Sequence, residues 1–219
     1  TGSAAVVGFR GTDPSDPDET VLADFEENGP GYMAYSLAKD ALFAKAKDDF
    51  AGRATVDLTG HSFGGGISQM FAADLLKKIA DGEEGYAHIT NVNLAVFQST
   101  GVHSSYSVTA KNALTKLETT KPSFEFNMVA HCYEGDIVHA SAPYLMSDVN
   151  GPRNTNLYLV YKHMTLWVFL TTLFSNIFSA HSLPFYAQHG TVARDIVENA
   201  NLKAPMQVYA SSDAADQQS

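Results

Sequence analysis

Gly60-His61-Ser62-Phe63-Gly64 is the stretch of this sequence whose residue types and spacing spell out a reaction. It fits the G-x-S-x-G pattern, in which a serine sits on a sharp turn between a strand and a helix. A β-rich run, Ala54 to Leu58, precedes it, and a helical pattern, Ile67 to Ile79, follows it. The residues two before and two after such a serine must be small, because a Cβ there would strike the neighbouring backbone. Gly60 and Gly64 meet that demand, and Gly65 and Gly66 add room. The hydroxyl is then presented at a helix N-terminus, where backbone N–H groups favour a developing negative charge. The pattern also arises by chance in glycine-rich turns; the flanking strand and helix give it the chemical reading, nucleophilic acyl transfer by Ser62.

A serine hydroxyl attacks only when a base takes its proton and a carboxylate orients that base. At a strand-to-helix turn of this kind the partners follow in the order Ser, acid, His. Asp136 stands in a Glu134-Gly135-Asp136 loop just after a predicted strand, Phe124 to Val129, at the carboxyl edge where parallel sheets place their chemistry. Asp148 lies further on, in an irregular segment, and Asp195 follows every histidine, out of order. His181 and His189 both come after the last predicted strand, and spacing alone leaves them near parity. His61 points away if the turn forms, and His131, His139 and His163 fit the order poorly.

The positioning elements follow from periodicity. Ala4 to Phe9 reads as a buried strand leaving into Arg10-Gly11-Thr12. Residues 13–28 carry seven carboxylates without a Lys or Arg, and Pro14 and Pro17 interrupt any helix, so this is a surface loop. Gly31 to Phe50 places Tyr35, Ala38, Leu42 and Lys45-Ala46 at helical intervals. Ile89 to Phe97 and Leu157 to Tyr161 read as strands, and Ser107 to Leu117 as a helix. Strands alternating with helices predict an α/β fold, a mostly parallel central sheet flanked by helices on both faces. Residues 1–210 are expected to form one domain and 211–219, small and polar, a frayed tail.

Composition excludes several classes. A formal charge of -10 and a pI near 5.1 argue against a nucleic-acid partner. Cys132 stands alone, so an internal disulfide and a thiolate zinc site are not expected, and no metal or cofactor is called for. Cysteine usage does not fix the compartment. Thr1-Gly2-Ser3 opens without a charged and apolar leader, and secretion stays open. The most apolar run, Leu166 to Phe178, reaches about 20 Å as a helix, short of the roughly 30 Å hydrocarbon layer, and is not read as a transmembrane span. Its apolar residues cover most of the circumference, which predicts burial against the sheet, with part of it lining an acyl pocket or meeting a lipid-water interface as the sharper alternative.

Four motifs together resemble the class 3 lipase family of α/β-hydrolases: Phe9-Arg10-Gly11-Thr12, Gly60-His61-Ser62-Phe63-Gly64-Gly65, Gly135-Asp136-Ile137-Val138, and His181-Ser182-Leu183 with Tyr186 beyond. The likeness runs from Val6 to Tyr186 and implies a serine hydrolase of lipid esters, a lipase or carboxylesterase. It further implies that the backbone N–H groups of Thr12 and Phe63 form the oxyanion hole, and that His181 rather than His189 is the base. Asp24 matches the aspartate after the family's lid, which makes residues 13–23 a lid candidate. That loop is acidic where the lids of interfacially activated lipases are greasy, which argues against strong interfacial activation. The same triad would serve a phospholipase A or an acyltransferase. A binding module without catalysis would need neither the ordered Ser, Asp and His nor the paired glycines.

Overall fold

Period-two alternation builds the sheet. Val56, Leu58 and Gly60 turn inward from one strand, Val92, Leu94 and Val96 from the next, and Phe126, Met128 and Ala130 from the third. These residues pair in register, so the inward side chains form continuous rows across the three strands. The computed structural model describes residues 4–11, 30–133, 145, 155–162 and 192–196, the last two stretches by their backbone. In chain order the elements are β1 (Ala5–Phe9), α1 (Tyr32–Asp49), β2 (Thr55–His61), α2 (Phe63–Ala80), β3 (Asn91–Phe97), α3 (Ser104–Thr120), β4 (Glu125–Tyr133), β5 (Thr155–Lys162) and β6 (Val192–Ile196).

The strands lie side by side in sequence order. β1 to β5 pair parallel, and β6 closes the edge antiparallel to β5. The mostly parallel α/β architecture expected from the sequence is therefore present. Every helical crossover steps one strand in the same direction, and right-handed crossovers of that kind place their helices on one face. α2 accordingly packs on β1, β2 and β3 and against both α1 and α3. The described helices cover that face alone, where helices on both faces were expected; the helix expected at 166–178 lies outside the described residues. No helix among the described residues is long and apolar enough to cross a membrane.

The core sits between the sheet and these helices. Leu58, Leu75, Leu76 and Leu94 are essentially inaccessible to solvent; burying a side chain of this kind contributes roughly 1.5–3 kcal/mol. Phe71 of α2 stacks on Phe43 of α1 at 4.4 Å and meets Phe9 at the end of β1 at 5.4 Å. One ring thereby holds three elements together beneath the end of β1. The buried stripe of α1 is Tyr35, Phe43 and Ala46, whereas Ala38 and Lys45, read from the sequence as part of the inner face, are exposed. Tyr35 donates to Asp74 of α2 at 2.8 Å, and Lys39 pairs with the same carboxylate at 2.7 Å. On the opposite sheet face Asn127 donates to Asn93 at 2.9 Å and Asn93 to Asp57 at 2.7 Å, a polar row one residue wide across β4, β3 and β2.

Candidate active site

β2 ends at His61, α2 begins at Phe63, and Ser62 alone makes the bend. It does so at φ 57° and ψ -130°, a left-handed conformation that costs a non-glycine residue on the order of 1–3 kcal/mol. Backbone hydrogen bonds hold it there. Its N–H donates to the Phe97 carbonyl at 3.0 Å, and its carbonyl accepts from Gly65 at 2.9 Å and from Gly66 and Thr100 at 3.3 Å each. Gly65 and Gly66 make the first bonds of α2, so the N–H groups of Phe63 and Gly64 are left without an intrahelical acceptor. The Ser62 side chain does not cap its own helix. A hydroxyl stands beside a helix N-terminus whose leading N–H groups can meet an oxyanion.

The glycines are required by close approach. A Cβ on Gly60 would lie 2.2 Å from the Gly64 carbonyl oxygen, and one on Gly64 would lie 2.3 Å from the Phe9 carbonyl oxygen. The second contact shows how closely the end of β1 crosses the start of α2. The chain leaving β1 then runs over the serine: a Cβ on Gly11 would lie 3.2 Å from the Ser62 Cβ. Thr12 is the next residue along and lies outside the described residues, as do Asp24, Asp136, His181 and His189. Ser62, Phe63, Gly60 and Gly64 are therefore placed in one tight unit.

Two of the described histidines have structural duties. His88 bonds the Phe50 carbonyl at 2.9 Å, and His103 caps α3, its Nδ1 accepting from the Ser105 N–H at 3.3 Å. His131 lies in β4 with its ring stacked on Phe97 at 4.7 Å and 4°. His61 occupies a strand position alternating with the inward row, and its Nδ1 stands beside the chain leaving β1, 3.5 Å from where a Cβ on Gly11 would lie. Three of the described carboxylates are likewise engaged. Asp74 is buried under Tyr35 and Lys39, Asp57 bonds Asn93 within the sheet, and Asp81 sits at the far end of α2 with Lys77 and Lys116. No group of His, Cys, Asp and Glu able to hold a metal occurs among the described residues.

Burial pushes the Tyr35 hydroxyl far above the usual phenol range, with the Asp74 charge adding to the effect. Burial, with Asp74 again contributing, pushes Tyr106 up to about 12. Hydrogen bonds from Lys116 and then Lys77 hold Asp81 down at about 2. None of these groups belongs to the Ser62 bend; they tie helices together.

Sequence reading missed how the glycine run meets the loop after β3. A Cβ on Gly65 would lie 2.4 Å from Ser99 Oγ, and one on Gly66 2.3 Å from Thr100 Oγ1. The three successive glycines were the available signal, since a helix start so bare must admit a close neighbour. Gln98 opens that loop at φ 44°, and it and Ser62 are the non-glycine residues with positive φ among the described residues. Both follow adjacent strands at the carboxyl edge of the sheet, a placement typical of strain held at a working site. No family model matches this chain, and no match to it was found among curated proteins or solved structures.

Proposed function

We propose that the chain is a serine hydrolase of the α/β-hydrolase type, similar to class 3 lipases, that cleaves esters of lipid-like acids through Ser62, Asp136 and His181. The observation that carries this reading is the strained Ser62, locked by its backbone between a parallel strand and a helix N-terminus, with glycines where side chains would collide. Binding alone gives no reason to maintain that conformation.

Strand geometry supports the partners. Tyr133 ends β4, two strands from β2, a lateral step of about 10 Å. Asp136 follows three residues later in the sequence, and the parallel strands β2 and β4 end at the same edge. For the base, Lys162 pairs with Val192, so the chain between them departs from and returns to this edge. Val192 lies four strands from β2, roughly 19 Å. His189 precedes it by three residues, a reach of about 10 Å at full extension, and would approach Ser62 only along a straight line. His181, eleven residues before Val192, has slack to spare.

In the reaction, His181 Nε2 takes the Ser62 hydroxyl proton as Oγ bonds to the ester carbonyl carbon. The N–H groups of Phe63 and Thr12 receive the negative oxygen; one such donor is worth roughly 3–4 kcal/mol of transition-state stabilisation. Asp136 holds the imidazolium, which returns the proton to the leaving alcohol as its C–O bond breaks. Water, giving a proton to the same imidazole, then adds to the acyl carbon, and the imidazolium returns that proton to Ser62 Oγ as the acyl C–O bond breaks and the acid leaves. Labelling with a fluorophosphonate tests the reading: wild-type protein is labelled and Ser62→Ala is not. Equal labelling of both, or none of either, overturns it.

A further inference from the structure

Gln69 stands two turns into α2 with no solvent exposure, among apolar neighbours such as Met70 and Phe71. A leucine or methionine would fill such a place without the cost of desolvating a carboxamide, which is repaid only when its donors and acceptor are met. They are met by two separate parts of the chain. Nε2 donates to Ser99 Oγ and to the Thr100 carbonyl, both at 2.9 Å, and Oε1 accepts the Leu145 N–H at 2.7 Å. Leu145 is itself fully buried. Ser99 Oγ donates onward to the same Thr100 carbonyl at 2.6 Å, and the Thr100 N–H reaches the Ser62 carbonyl at 3.3 Å.

Hydrogen bonds thus link the backbone of the nucleophile to the N–H of Thr100, the carbonyl of Thr100 to the Gln69 carboxamide, and that carboxamide to Leu145. Leu145 belongs to the connection between β4 and β5, nine residues after Asp136. We infer that Gln69 is a positioning residue, fixing the connection that carries the acid relative to the bend that carries the serine. This rests on the function proposed above. The carboxamide touches neither substrate nor reacting atoms; it acts through Thr100 on one side and Leu145 on the other.

The test is the near-isosteric Gln69→Met, alone and combined with Asp136→Asn, assayed for kcat and KM on a p-nitrophenyl ester across pH, with amide hydrogen exchange at Thr100 and Leu145. The expected result is KM within about twofold and kcat lower by about 10- to 100-fold, the scale of a misplaced catalytic group. The acid limb of the pH profile moves to lower pH, because a displaced carboxylate no longer raises the imidazole pKa. In the Asp136→Asn background the same substitution costs less than about twofold, the non-additivity of residues acting together. An equal loss in both backgrounds, or a lower melting temperature with an unmoved acid limb, overturns the inference. Failure of the hydrolase reading looks different: Ser62→Ala keeps full turnover or wild type has none. Exchange then decides, with both amides faster in Gln69→Met upholding the clamp and unchanged exchange at Leu145 overturning it.

Discussion

Replacing Gly60 by alanine should damage catalysis far more than it changes the composition of the chain. The added Cβ would sit 2.2 Å from the Gly64 oxygen, 2.5 Å from the Gly64 carbonyl carbon and 2.7 Å from the Gly65 nitrogen. All three are backbone atoms, so no side chain can swing aside. Restoring an ordinary contact of 3.4 Å requires a shift of about 1 Å in the first turn of α2. The Phe63 N–H is in that turn and must move with it. A displacement of this size in catalytic geometry costs about 100-fold in rate, or roughly 2.7 kcal/mol of barrier. Gly8→Ala is the control, since Gly8 pairs with Thr59 next door and its Cβ would meet only Thr59 Cγ2 at an ordinary 3.8 Å. It should leave turnover unchanged and stabilise by up to about 1 kcal/mol through the unfolded chain. Both variants would be compared by kcat/KM on a p-nitrophenyl ester and by urea unfolding. A Gly60→Ala protein with wild-type kcat/KM and an unchanged urea midpoint would refute the reasoning.

His181→Ala should abolish ester turnover while His189→Ala retains it, and the reverse pattern would reassign the base. Tyr35→Phe removes a buried hydrogen bond to the Asp74 carboxylate; chemical denaturation should show a loss of about 1.5–3 kcal/mol, with turnover per folded molecule unchanged. Asp81 has its pKa lowered from 3.8 to about 2 by Lys116 and Lys77, so its contribution is present above pH 4 and fades as pH falls towards 2. Melting temperatures of wild type and Asp81→Asn should therefore differ most near neutrality and converge in acid; a constant gap would contradict the assignment.

The elements that were legible in the sequence were those whose signal is local. The strand pattern before Ser62 and the paired glycines around it placed the bend correctly, because a turn is decided by its own few residues. The start of α2 was read at Ile67 rather than Phe63. Gly64, Gly65 and Gly66 have poor helix propensity, and only tertiary contact with Phe9, Ser99 and Thr100 explains their helical place. β6 was not expected at all. Arg194 and Asp195 break the apolar pattern of Val192–Ile196, and a short charged edge strand carries little hydrophobic signal of its own. Its backbone also sets Asp195 level with Val160, four strands from β2, which agrees with its exclusion from the triad. Gln69 was invisible for another reason. A glutamine in a helix reads as surface, and the partners that bury it lie 30, 31 and 76 residues away. The same distance problem kept Asp136 and His181 as choices among candidates, since which carboxylate and which imidazole meet a serine is decided by long-range folding.

The most direct test is to digest fluorophosphonate-treated protein and locate the adduct by mass spectrometry. The account predicts a single phosphonylated residue, Ser62, in the peptide that begins within β2 and runs into α2. An adduct on a different serine, or ester turnover that persists with Ser62 unmodified, would contradict it.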